Sequence, residues 1–287
     1  MPQVDPLQSE STQHYRVRFL PAVGPGETVL REFPDPYPQP WYAVIEALGL
    51  DRLPPATAAE GKGDDGFELL FLPGGSATPP EQQRLGEQWM AKPPDPSAEP
   101  TVELIMRSDR ILWRSGRCLI QGAADRLRET AVALADWCFY EGQLRKLERD
   151  LDDDAEVLAR DVALTTAAVD KESLRARPHA HERACTMTQR RIRFTRLLRP
   201  LEKAPISLSG ASRRLFSELL VQCEIQDRLR AFDNRLEVYE DTYELANDRL
   251  LEYGNVRAEA KLEIWIIVIL VVEVLLTLWD IGWRSHG

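Results

Sequence analysis

The chain has 287 residues, room for one sizeable domain or two small ones plus a further segment. Its formal charge of −10 and pI near 5.1 argue against a nucleic-acid coat. Four dispersed cysteines, Cys118, Cys138, Cys185 and Cys223, form no CxxC pair and suit free thiols in a reducing compartment.

The start, MPQVDPLQSESTQ, has neither a basic n-region nor an apolar core, so a secretory leader is not expected, and residues 1–13 read as a disordered tail. Tyr15 to Leu20 alternates Tyr15, Val17 and Phe19 on one face and reads as a strand. Pro21 to Pro40 is rich in proline and glycine and reads as loop. Trp41 to Leu50 places Trp41, Val44, Ile45 and Leu48 at helical spacing and predicts a short helix. After a loop over Pro54 to Gly66, Phe67 to Leu72 reads as a second strand, Pro79 to Met90 as a short helix, and AKPPDPSAEP as a linker.

Thr101 to Arg107 and Arg110 to Trp113 read as two further strands. In ILWRSGRCLIQG, Gly116 supplies the positive φ of a tight turn into Arg117 to Gln121. These pieces predict a small α+β domain over residues 14–122. A helical, coiled-coil-like region follows over residues 123–262. Its first helix, about Ala123 to Lys171, carries Trp137, Tyr140, Leu144, Leu147, Leu151 and Leu158 at helical spacing, with acidic residues at 148–156 on its outer face. Pro178 precedes a second helix, Arg183 to Leu198, which Pro200 and Pro205 are expected to stop, and Ser209 or Ser212 can cap the last one.

The last helix has the most regular pattern. Ile225, Leu229, Phe232, Leu236, Tyr239, Tyr243, Ala246, Leu250 and Tyr253 fall at alternating steps of four and three, the period of a coiled-coil seam. That seam suits packing within one helical hairpin or between chains. It leads, past Gly254, into Ile264 to Ile281, where 13 of 18 residues are Ile, Leu or Val. On an insertion scale those 13 contribute roughly −4 to −8 kcal/mol against about +3 for Glu273, so a single transmembrane anchor is expected over residues 263–281. Residues 282–287 form a short tail. The chain then reads as a tail-anchored, single-pass membrane protein with its N-terminal bulk in the cytoplasm.

Catalytic signatures are missing. GKGDDG at 61–66 lacks the Lys-Ser/Thr ending of a phosphate loop, and there is no nucleophile elbow and no HExxH. His179, His181 and Cys185 lie close together without an evident fourth ligand, and read as a solvated interhelical turn. No enzyme, cofactor or metal is expected. The run Arg190, Arg191, Arg193, Arg196 and Arg199, interleaved with Ile192, Phe194, Leu197 and Leu198, suits pairing with the acidic face at 148–156. It also suits contact with anionic lipid headgroups and, more weakly, single-stranded RNA. Ile266, Glu273 and Asp280 share a stripe that faces a partner helix or a water-filled path if helices assemble.

The stretch RLEVYEDTYELANDRLLEYGNVRAEAKLEIWIIVILVVEV resembles the required-for-meiotic-nuclear-division family, a domain of unknown function, over residues 216–278. The motif residues are Leu262, Glu263, Trp265 and Glu273, with Leu-Glu-Ile-Trp where the family more often has Leu-Glu-Trp. The resemblance implies a membrane-anchored assembly or scaffold factor and supplies no catalytic residues. An acidic α/β domain on a stalk helix is also similar in outline to CorA-type channels, which gives the alternative of an oligomeric cation or proton pathway using Glu273. That likeness lacks the second span and the Gly-Met-Asn loop. Membrane lipid, a second copy or a protein bound through the helical region are the expected partners.

Overall fold

The computed structural model describes all residues except 1–6, 8–10, 35, 54–65, 75–78, 92–100, 115, 167–172 and 285–287, together with the side chains of 52 and 277–284. Seven strands form one sheet: β1 (Gln13–Leu20), β2 (Thr28–Phe33), β3 (Trp41–Leu48), β4 (Gly66–Pro73), β5 (Val102–Met106), β6 (Asp109–Arg114) and β7 (Arg117–Gly122), in the order β2-β3-β1-β4-β7-β6-β5. All neighbours are antiparallel except β4 and β7, which run parallel. Helix α1 (Pro80–Met90) lies between that parallel pair in sequence. The helices that follow are α2 (Ala124–Asp153), α3 (Ala155–Asp161), α4 (Ala163–Thr166), α5 (Arg177–Glu202), α6 (Gly210–Gln222) and α7 (Ile225–Arg284).

Strand alternation sorts the core into two layers. Leu70, Leu72, Leu112 and Leu119 on one face pack with Trp89 and Met90 of α1. Gly86 lets α1 come that close, since a Cβ there would stand 2.9 Å from Leu119 Cδ2. Phe19 and Phe33 on the other face pack against Phe139 of α2, the Phe33 and Phe139 rings stacked at 4.0 Å between centroids. Gly116 has φ of +78° in the tight turn from β6 to β7.

Two expectations in the N-terminal half are corrected. Trp41–Leu48 is a strand, burying Ala43, Val44 and Ile45, because the aromatic and β-branched residues there suit a pleated sheet and the helical spacing was coincidental. Part of the expected loop Pro21 to Pro40 is β2, whose Leu30 and Phe33 are buried across a bulge between Val29 and Arg31. Proline and glycine on both sides hide those six residues. The loop at 54–65 and most of the linker AKPPDPSAEP lie outside the described residues, as does most of the 1–13 tail, although Leu7 is buried.

The helical half also differs. The expected first helix ends at Asp153, with α3 and α4 as separate short pieces. Helix α5 begins before Pro178 and runs through Pro200 to Glu202. Proline in the first turn forfeits a donor that has no helical partner there, and Pro200 sits just before the helix ends. Ser209 caps α6 by accepting from the Ser212 amide at 3.3 Å, and Glu224, at φ of +50°, separates α6 from α7. Gly254 does not interrupt α7.

The chain divides into two compact units, one of residues 1–152 and 190–233 and one of 153–189 and 234–287. The first joins the sheet to α1, α2, α6 and the adjoining parts of α5 and α7. Helix α2 up to Asp152 falls in the same compact unit as the strands.

The expected membrane anchor is overturned. Among the described residues no helix is long and apolar enough to cross a membrane. The described apolar run, Ile264 to Leu276, rises only about 20 Å as a helix, against roughly 30 Å of hydrocarbon. Glu273 lies within it, and Glu259, Lys261 and Glu263 stand before it. The side chains of Leu278, Trp279 and Ile281, on which the expectation also rested, lie outside the described residues. The fold is α+β with a long C-terminal helix, and the tail-anchored, single-pass placement is withdrawn.

Candidate functional site

Helix α7 changes character along its length. In the first unit Ile225, Leu229 and Phe232 are buried, with Phe232 against Phe194 of α5 at 4.8 Å between ring centroids. In the second unit Leu236, Tyr239, Tyr243, Ala246 and Leu250 are all at most 6 % exposed. There Ala246 and Leu250 pack with Ala180 and Leu164, and the Tyr243 hydroxyl donates to Asp161 Oδ2 at 3.0 Å. Burial first, then the Asp161 carboxylate, push the Tyr243 hydroxyl above its ordinary range. Through Leu250, the seam is covered by the chain itself.

Beyond it the same helix is bare. Leu262, Ile264 to Val272, and Val274 to Leu276 are each 45–65 % exposed, on every side of α7. The four residues that carried the family resemblance stand here: Leu262, Glu263, Trp265 and Glu273 are all exposed. Side-chain placement of Asp280, the third member of the stripe with Ile266 and Glu273, lies outside the described residues.

The second feature is a cleft of about 1490 Å³ in the first unit, between β2, the end of α5, α6 and the start of α7. Arg199 and Lys203 bring positive charge to it, Glu32, Glu202 and Glu224 negative charge, and Leu198, Ile206 and Val221 apolar surface. Among the described residues neither histidine nor cysteine lines it. Its floor is tied by Arg31, which holds the buried Asp136 carboxylate through two bonds of 2.7 and 3.0 Å and also binds Ser207. Burial pushes Asp136 up to about 6, with Arg31 opposing the rise.

The basic run is dispersed among different neighbours. Arg191 pairs with Asp233, Arg196 donates to the Pro36 carbonyl at 3.0 Å, Arg193 lines a crevice with Asp150, and Arg199 lines the large cleft. Arg190 is half-buried on α5. In the acidic face expected to receive the run, Glu148 is held by Arg228 at 2.6 Å and Asp154 by Arg183 at 3.0 Å. Arg228 also reaches Glu141 at 2.8 Å, and although burial opposes its charge the two carboxylates raise it above the ordinary guanidinium range.

His179, His181 and Cys185 lie on α5 rather than in a turn. His179 Nε2 is 2.8 Å from Asp161 Oδ2, while Cys185 Sγ is 3.7 Å from His181 Nε2. Among the described residues no group of three or more His, Cys, Asp or Glu is arranged to hold a metal ion. The Arg31–Asp136 pair, the Arg228 network and the cleft were all missed from the sequence. Their members lie 80 to 105 residues apart for the ion pairs, and no local spacing signals them. The chain matches no protein-family model and no curated protein, so the resemblance over residues 216–278 rests on those residues alone.

Proposed function

We propose that this chain is a non-enzymatic assembly or scaffold factor that joins itself or a partner protein through the exposed end of α7. One observation carries the reading: 13 large apolar side chains from Leu262 to Leu276 stand roughly half-exposed on a single helix. Folded monomers seldom leave more than a few hundred Å² of contiguous apolar surface in water, and larger patches mark interaction sites.

Cross-linking the full-length chain in a native extract tests the reading. Wild type is expected to give discrete species of higher mass. A variant with Ile266, Ile269 and Leu270 replaced by Gln, together with Ile267 and Val271, is expected to lose them. Unchanged species in that variant would refute assembly through α7.

A further inference from the structure

We infer that α3 and α4 form a strap that lifts off α5 and α7 as one piece while those two helices stay folded, uncovering the seam of α7 at Ala246 and Leu250. All the residues concerned lie in the second unit. The inference stands on their packing alone and does not require that the end of α7 takes a partner.

The strap is held differently from the helices it crosses. Among the described residues of α3 and α4 none is buried: Val157, Leu158 and Leu164 are half-buried, and Val162 is 41 % exposed. By contrast Ala180 of α5 and Tyr243, Ala246 and Leu250 of α7 are each at most 1 % exposed. Ala180, Ala246 and Leu250 form one apolar cluster that joins α5 to α7 directly, and Leu164 is the strap's side chain packed against it.

Polar ties take the place of burial. Asp154, just before α3, accepts from Arg183 of α5 at 3.0 Å. Asp161, the last residue of α3, stands 2.8 Å from His179 Nε2 of α5 through Oδ2. The Tyr243 hydroxyl of α7 donates to that same oxygen at 3.0 Å, and Arg249 of α7 donates to the Leu164 carbonyl at 3.2 Å. Two ties thus reach each helix. Hydrogen bonds and partly exposed ion pairs give little net stability, because an open strap exchanges them for bonds to water. Buried apolar side chains have no such substitute, so the contact of α5 with α7 outlasts that of the strap with either.

The strap moves as one piece because its main chain is bonded along its length. The Leu158 amide donates to the Asp154 carbonyl and the Val162 amide to the Leu158 carbonyl, both at 2.9 Å, and the Thr165 amide donates to the Val162 carbonyl at 3.0 Å. Asp161 carries half of the hold, since it takes a donor from each neighbouring helix. Releasing that one carboxylate therefore loosens the strap from both sides.

Hydrogen exchange of the full-length chain, read by mass spectrometry in neutral buffer, tests the strap. Amides of residues 155–166 are expected to exchange well before those of 177–189 and 236–250. Asp161→Ala removes two hydrogen bonds and is expected to speed exchange in 155–166 roughly tenfold or more, leaving the other two segments unchanged. Arg249→Ala, which spares Asp161, is expected to act in the same direction through α4. Ala246→Cys reads the seam: its thiol is expected to be labelled in the folded chain, faster in combination with Asp161→Ala, while the buried Cys118 and Cys138 stay unlabelled. Equal protection of 155–166 and 236–250 overturns the inference. So does acceleration of all three segments together, which would make the strap part of one cooperative unit. A strap that exchanges above an unlabelled Ala246→Cys thiol overturns the uncovering of the seam.

Discussion

Arg31 on the edge strand β2 closes a two-bond ion pair with Asp136 on α2, 105 residues away, and Asp136 is wholly buried. The pair joins the sheet to its covering helix beside the aromatic stack of Phe33 and Phe139. A carboxylate buried that deeply is tolerated only because a guanidinium meets it with matched geometry.

Removing the partner is therefore costly. Arg31→Ala is expected to destabilise the first unit by about 3–5 kcal/mol, since it leaves the Asp136 charge buried and uncompensated. Urea denaturation followed by circular dichroism reads the change directly. A loss under about 1 kcal/mol would show that the pair is not structurally required.

The raised Asp136 carboxyl carries a pH dependence of definite sign. Between about pH 4 and pH 6 the unfolded chain has released a proton that the folded chain still holds. Stability from this group is thus greatest below about 4 and falls as pH rises through about 6, by roughly 3 kcal/mol in all. Glu68 works oppositely: burial raises it, but His14 and Arg16 outweigh burial and hold it below its ordinary value. Its contribution is present above pH 4.5 and is lost as the pH falls below that. Asp136→Asn, compared with wild type across pH 4 to 7, is expected to remove the falling component.

Covering of the seam by the chain itself predicts a large cost for opening it. Phe232→Ala is expected to lose about 3–5 kcal/mol, because the ring is buried against Phe194 and leaves a cavity. Val238→Ala, on an exposed side of α7, serves as the control and is expected to change stability by less than about 0.5 kcal/mol. Equal effects would contradict the burial of the seam.

Thiol labelling should grade the cysteines by position. Cys185 is exposed and is expected to react first, and Cys223 more slowly. Cys118 and Cys138 are buried in the first unit, where burial pushes both thiols up, so neither is expected to react until the unit unfolds. Mass spectrometry of the labelled native chain distinguishes these cases, and early labelling of Cys118 would contradict the packing of β7.

Hydrogen bonding of Tyr243 to Asp161 is testable in the second unit. Tyr243→Phe keeps the ring and removes the hydroxyl, and is expected to cost about 1 kcal/mol. Calorimetry of both proteins measures it, and an unchanged melting temperature would show that the bond adds nothing.

Local patterns made much of this legible. Alternation at Tyr15, Val17 and Phe19 and the Gly116 turn reflect rules acting within a few residues, and both appear in the sheet. Where two local rules agreed by chance, the reading went astray. Trp41, Val44, Ile45 and Leu48 satisfy helical spacing, but pairing with β1 and β2 decided for a strand. Nor could composition reveal β2, whose six residues are flanked by prolines and glycines and form a strand through pairing with β3.

The apolar end of α7 shows the same division. Chain order alone determined that residues 264–276 are overwhelmingly apolar, and that the four-and-three period of the seam runs from Ile225 to Tyr253. Where that period is covered depends on α5 and the α3–α4 segment, which supply neighbours such as Ala180 and Leu164 up to Leu250. Only the tertiary structure decides this, because burial is a property of what packs alongside a helix, whereas period and hydrophobicity belong to the helix itself.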